Sequence, residues 1–198
     1  MITLLHGDHI EASRAELNRL KQEAKEKEIR TIDGRMADAS SLIQSLESDS
    51  LFGGMAVVVI EQLFGKLGRQ LKRIGEYCTL VVRAGGTRDI IIWDDKELGA
   101  SVVKQLGTAI QVRLFKLPVL IFQFLDSVRP GNTAITVSYF TKLMDTDSAE
   151  LVFAMLAKRV RQLLTIADGA PPAGLQGWQI ARLTTQAKSF TMSELVSV

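Results

Sequence analysis

Ser50-Leu51-Phe52-Gly53-Gly54-Met55-Ala56-Val57-Val58-Val59-Ile60 is the stretch on which the reading of this chain turns. Its second half, Met55 to Ile60, is a continuous apolar and largely β-branched run, the pattern of a strand buried in a parallel sheet. Its first half is a corner, two large apolar residues followed by two glycines that let the chain turn sharply back. Upstream, Ala39 to Ser48 reads as an amphipathic helix capped by Asp38, with Leu42, Ile43 and Leu46 on its inner side. At such a corner Leu51 and Phe52 either fold inward or are offered to a partner. Single apolar side chains at a surface are common, so the corner alone does not choose.

Outward from this stretch, strands and helices alternate. Ile2 to Leu5 reads as a strand, and Asp8 with Glu11 as a capping box for the helix that follows. That helix carries Ile10, Leu17, Leu20 and Ala24 on one stripe, with a Glu23–Lys27 pair on its exposed side. Ile29 to Ile32, Met55 to Ile60, Ile90 to Trp93 and Ala109 to Leu114 supply the second to fifth strands. The alternation predicts an α/β fold, a five-stranded parallel sheet with helices on both faces. One segment reads two ways. Leu67, Leu71, Ile74 and Cys78 form a helical stripe, while Thr79-Leu80-Val81-Val82 alone suits a strand; the helix is expected to run on to about Arg83 and close at Gly85 and Gly86.

All four prolines lie at position 118 or later and most glycines lie before it. The shift sets a boundary near Lys116-Leu117-Pro118, dividing a domain at 1–116 from one at 117–198. Beyond Pro118 the pattern is wholly helical. One helix holds Ile121, Phe122, Leu125 and Val128 and ends at Arg129-Pro130-Gly131-Asn132; a second runs through Ile135, Tyr139 and Leu143. A third, capped by Asp147 and Glu150, carries Leu151, Val152, Met155, Leu156, Val160 and Leu163. After Asp168-Gly169-Ala170-Pro171-Pro172-Ala173-Gly174 comes a fourth, with Trp178, Leu183 and Ala187. Thr191-Met192-Ser193-Glu194 is a further capping box, announcing a helix with only four residues left to build it.

The 198 residues are 46% hydrophobic and 23% charged with a net charge of +2, ordinary values for a globular protein and no electrostatic footprint for nucleic acid. The single cysteine, Cys78, excludes a disulfide framework and a cysteine metal site and points to a reducing compartment. The N-terminus lacks the basic lead and apolar core of a signal peptide, and the longest apolar run is too short to cross a bilayer. A cytoplasmic protein without membrane contact is expected.

A strand ending in Gly7 and leading into a helix is where a phosphate-binding loop would sit. That loop needs a second glycine, a lysine and a serine or threonine, and those places hold Ala12, Ser13 and Arg14. Asp8 and Glu11 also bring negative charge to the loop, so ATP hydrolysis there is not expected. Asp8, Asp33, Glu61, Asp94 and Asp95 collect at the carboxyl ends of strands, where ligands bind in open α/β sheets. A magnesium-dependent phosphotransfer site using Asp33, Asp94 and Asp95 is one reading, helix caps and strand-end solvation the other. His6 and His9 have no evident third ligand, and no metal or cofactor is expected. Lys66, Arg69, Lys72 and Arg73 on one helix, and Lys158, Arg159 and Arg161 on another, read as solvated faces or as a DNA-binding adaptor surface.

Taken together, the residues resemble the delta subunit of the bacterial DNA polymerase III clamp loader. The resemblance is carried by Leu5-His6-Gly7-Asp8, Thr31-Ile32-Asp33-Gly34, Ser50-Leu51-Phe52-Gly53-Gly54 running into Val57-Val58-Val59-Ile60, Ile91-Ile92-Trp93-Asp94-Asp95-Lys96, Ile121-Phe122-Gln123-Phe124-Leu125-Asp126, and the Leu151 to Leu164 helix with Arg159 and Arg161. It spans nearly the whole chain. It implies a RecA-like domain of AAA+ type that has lost its phosphate loop, followed by an all-α helical collar. It implies no intrinsic enzymatic activity, even though such a subunit belongs to a DNA-directed DNA polymerase complex. It further implies that Ser50, Leu51, Phe52, Gly53 and Gly54 bind the ring-shaped sliding clamp, with Leu51 and Phe52 entering a clamp pocket. Lys158, Arg159 and Arg161 become candidate contacts to DNA or to other loader subunits, DNA being met only within the complex. Two departures go with it: the family's small helical lid has no counterpart around Lys116-Leu117-Pro118, and the collar is expected to lack its last helices after Val198.

Overall fold

A computed structural model describes residues 1–47, 56–65, 67, 70–108, 110–170 and 172–197. The chain divides into two compact units, Met1–Leu117 and Pro118–Val198.

The first unit alternates strand and helix: β1 (Ile2–Gly7), α1 (Ile10–Glu23), β2 (Ile29–Asp33), α2 (Ala39–Glu47), β3 (Val57–Glu61), α3 (Leu71–Gly85), β4 (Asp89–Asp94), α4 (Ala100–Gln105) and β5 (Ile110–Phe115). The five strands form one parallel sheet in the order β2-β3-β4-β1-β5. β1 lies inside the sheet, Leu4 beside Ile92 on one side and Val112 on the other. The period-two alternation of strand side chains divides the core into two layers. Leu4, Val58, Ile60, Ile90 and Ile92 pack against Leu42 and Leu46 of α2, Ile74, Cys78 and Val81 of α3, and Val102 of α4. Leu5, Val57, Val59, Ile91 and Trp93 pack against Leu17 of α1. The edge strand β5 is more open, with Val112 and Leu114 exposed. Among the described residues no helix is long and apolar enough to cross a membrane.

Several local expectations need correction. α1 is capped by His9, whose Nδ1 accepts the Ala12 amide at 3.4 Å, and not by Asp8 and Glu11. Ile10, placed on the inner stripe, is half exposed. Glu23 pairs with Arg19, and Lys27, beyond the helix end, pairs with Asp89 at 2.8 Å. Thr79 to Val82 lies inside α3, which starts only at Leu71; Leu71 itself faces solvent, and Leu67 is buried in the preceding turn. Asp38 caps α2 as expected, accepting from the Ser41 amide at 2.7 Å, which holds its carboxyl below the usual range. Ser48 and Met55, the outer ends of the expected helix and strand, lie outside the described residues, as does Ala109.

The second unit is helical: α5 (Val119–Ser127), α6 (Thr133–Met144), α7 (Ala149–Ala167), α8 (Gly177–Ala187) and α9 (Met192–Ser197). Ser148, not Asp147, caps α7 and accepts from the Leu151 amide. The Thr191–Glu194 capping box is present, and the short helix α9 follows it, burying Leu195 against Leu163, Leu183 and Ala187. Ile135 of α6 and Trp178 of α8 are 51% and 66% exposed.

Candidate functional site

The carboxyl edge of the sheet is where an open α/β fold would take a ligand. In this chain the groups that could do so are bonded to the protein itself. Gly7 has φ of +140°, and a Cβ there would run into the Phe115 backbone, so only glycine fits between β1 and β5. Its amide donates to Lys96 O at 3.2 Å, the His9 amide donates to Phe115 O at 3.1 Å, and the Asp8 carboxylate accepts from Leu117 N at 2.9 Å. Of the amides that would cradle a phosphate, those of Gly7 and His9 are thus given to carbonyls and that of Ala12 to His9. His6 is buried and accepts from Leu98 N at 3.0 Å; burial lowers its pKa and outweighs the opposing Glu97 carboxylate.

The positions of the phosphate-loop lysine and hydroxyl have also turned inward. Ser13 is fully buried, donating to Ile10 O at 2.9 Å and accepting from the Trp93 indole N–H at 3.1 Å. Arg14 lies over the Trp93 ring, 3.6 Å from its centroid, and donates to Glu61 at 2.6 Å. Lys21 reaches the other Glu61 oxygen at 3.3 Å. Burial alone would raise the Glu61 carboxyl, but Arg14 and Lys21 outweigh it and hold its pKa low.

Asp94 is the most perturbed acid of this edge. It is fully buried and accepts from the amides of Gly65 at 2.8 Å and Phe64 at 3.3 Å. Burial pushes its pKa up to about 6 against the pull of those two amides. It therefore anchors the turn after β3, where Gln62 adopts a left-handed φ of 59°. Gln62 donates from its amide to Trp93 O at 2.7 Å and from its side chain to Asp95 at 2.9 Å. Asp33 is held by Arg35 at 2.8 Å. Among the described residues, no three His, Cys, Asp or Glu side chains converge as metal ligands would. Asp33, Asp94 and Asp95 each serve a different local contact and do not share a site.

Ser50, Leu51, Phe52, Gly53 and Gly54 lie outside the described residues, as do Lys66 and Arg69 of the expected basic face. What is described is the frame on either side of the corner: α2 upstream, its Leu42 and Leu46 buried, and β3 downstream, inside the sheet. Arg73 of the same basic face donates to the Tyr77 hydroxyl at 3.2 Å and to Gln70 at 3.3 Å.

In the helical unit the three basic residues of α7 part company. Lys158 and Arg161 are exposed. Arg159 is 11% exposed and donates to Asp126 at 2.9 Å and Gln186 at 2.7 Å. Arg182 of α8 pairs with the other Asp126 oxygen, and Gln186 donates to Leu125 O and Val128 O at the end of α5. Arg159 thus ties α5, α7 and α8 together. Its long-range partners, Asp126 and Gln186, carry no local sequence signal.

No protein-family model and no curated protein matches the chain. Among solved structures, the Bacillus subtilis DNA clamp loader delta protein (YqeN) aligns over 99% of this chain and 86% of its own, at 12% identity and a TM-score of 0.53. The chain has the clamp loader delta fold. Its five-stranded parallel sheet, flanked by helices and followed by a helical region, is that architecture, as the sequence resemblance implied.

Proposed function

We propose that this chain is a non-catalytic clamp-loader subunit that binds the ring-shaped DNA sliding clamp and helps to open it, with Leu51 and Phe52 entering a pocket on the clamp. The observation that carries this reading is the likeness of fold to a clamp loader delta protein over nearly the whole chain. The sequence supplies the rest: an apolar pair at a Gly-Gly corner between α2 and β3. In this reading residues 1–116 are a RecA-like domain with a degenerate phosphate loop and 117–198 a collar-like domain. The absence of ATP chemistry is supported by the Gly7 and His9 amides, the Ser13 hydroxyl and the Arg14 guanidinium, each of which is bonded within the protein. The partners are the sliding clamp and other loader subunits in the cytoplasm, with DNA met inside the complex.

Burying each anchor side chain contributes about 1.5–3 kcal/mol, so the pair is enough to make a hot spot. Opening requires in addition that the bound surface favour the open ring, since equal affinity for both forms shifts nothing. The test is Leu51→Ser with Phe52→Ser, measured by affinity for the cognate clamp and by unfolding. The expected outcome is a loss of about a hundredfold or more in affinity with unfolding unchanged. Unchanged affinity in a folded double variant rejects the site.

A further inference from the structure

The helical unit carries a cavity of about 170 Å³ between α5, α7 and α8. Its floor is Leu125 and Leu183, and Met155 and Phe122 line its walls. Trp178 stands in its lining and is 66% exposed, although it is the largest apolar side chain of α8. The polar part of the lining includes Lys158, Arg159 and Arg182 and, among the described residues, no carboxylate.

Each of these features constrains an occupant. A cavity near 150 Å³ holds one benzene ring, so this one takes a single large apolar side chain. Three cations without a carboxylate in the lining favour a negatively charged neighbour to that side chain. The charges are unequal, however. Arg159 and Arg182 already share Asp126, while Lys158 has no ion pair among the described residues. A phosphate backbone is held by a row of unpaired cations, and a base by an open stacking platform. A closed aliphatic floor with one unpaired lysine and a fork already half neutralised fits a peptide better. An aromatic at the mouth whose burial would complete the pocket is the usual companion of such an anchor.

We propose that this cavity is a docking site for an extended acidic segment of a protein partner, one large apolar side chain of the segment filling the space between Leu125, Leu183 and Met155 while flanking carboxylates meet Lys158 and Arg182. The site is independent of the clamp-binding corner and does not depend on that reading.

The test uses the full chain and a blocked, fluorescein-labelled Glu-Asp-Phe-Asp-Glu peptide read by anisotropy. Controls are the same peptide with alanine for phenylalanine, a Lys-Lys-Phe-Lys-Lys peptide, and a twelve-nucleotide oligo-dT. The expected result is saturable binding of the acidic phenylalanine peptide, with Trp178 emission moving to shorter wavelength. The alanine peptide, the lysine peptide and the Lys158→Glu variant each bind about tenfold or more weakly. Met155→Trp fills the cavity and also abolishes binding. Lys158 is exposed, so K158E leaves thermal unfolding unchanged and separates loss of the site from loss of fold. No binding of the acidic peptide, equal binding of either control peptide, or displacement of the peptide by oligo-dT at the same site overturns the proposal.

Discussion

The carboxyl edge of the sheet and the α5–α7–α8 face of the helical unit use similar charged residues to opposite ends. At the sheet edge, Arg14, Lys21, Glu61, Asp94 and the amides of Gly7 and His9 all meet partners within the same unit. In the helical unit, one inward network centred on Asp126 coexists with an outward cavity whose Lys158 and Trp178 are left to solvent. The difference teaches where binding can reside. A fold built around a ligand-binding edge can close that edge by internal pairing, at modest cost, because Coulomb attraction between half-buried partners offsets their desolvation. Recognition then falls to surfaces that keep apolar side chains in water.

The largest effect that would break this contrast concerns Asp94. A carboxyl whose pKa rises on folding, here to about 6, favours the folded state while protonated. Its contribution is complete below about pH 4, the ordinary aspartate value, and is lost as pH rises through about 6, a change of about 3 kcal/mol. Asp94→Asn removes that dependence. Urea unfolding of the two proteins at pH 4 and pH 7 is expected to show the stability difference between them change by about this amount. Parallel pH profiles would mean that Asp94 is not a closed, buried anchor.

Next comes Arg159. Arg159→Ala takes one of two cations from Asp126 and leaves Gln186 short of a donor, and the helical unit is expected to lose ~2–3 kcal/mol. Arg161→Ala, on an exposed residue of the same helix, is expected to change stability by less than about 0.5 kcal/mol. Equal effects in urea titrations would remove the distinction between inward and outward cations on α7.

Smaller again is Arg14. Arg14→Ala loses the stacking on Trp93 but leaves Lys21 to hold Glu61, for a cost of ~1–2 kcal/mol. Arg14→Lys, which keeps the charge but not the planar stack, is expected to recover only part of it. Full recovery would reduce the contact to simple charge pairing. The smallest effect belongs to the exposed Glu47–Arg83 pair, where Glu47→Ala is expected to cost about 0–0.5 kcal/mol in the same assay.

The strands were legible because Val57-Val58-Val59-Ile60 and Ile90-Ile91-Ile92-Trp93 are continuous buried runs, a signal that survives any local context. The helical course of Thr79 to Val82 was legible only through the longer stripe around it, since four β-branched and aliphatic residues suit either state. Spacing failed for Ile10, because period alone cannot say whether another element covers the stripe. The degenerate loop was readable at Ala12, Ser13 and Arg14, but what those side chains do was not. Glu61 lies 47 residues from Arg14 and Trp93 lies 80 from Ser13, and nothing local encodes such meetings. The capping of α1 by His9 was hidden by a good alternative motif at Asp8 and Glu11.

The place of β1 inside the sheet bears on how a ribosome delivers this chain. β1 is made before the other four strands and, among the described residues, pairs with β4 and β5, whose pairing residues begin at 90 and end at 115. At about 5–20 residues per second, β1 therefore waits on the order of 6–20 s without its partners, while β2 and β3 can already pair with each other. For that interval the apolar run Ile2 to Leu5 lacks its strand partners, and the sheet closes only once β5 has been made.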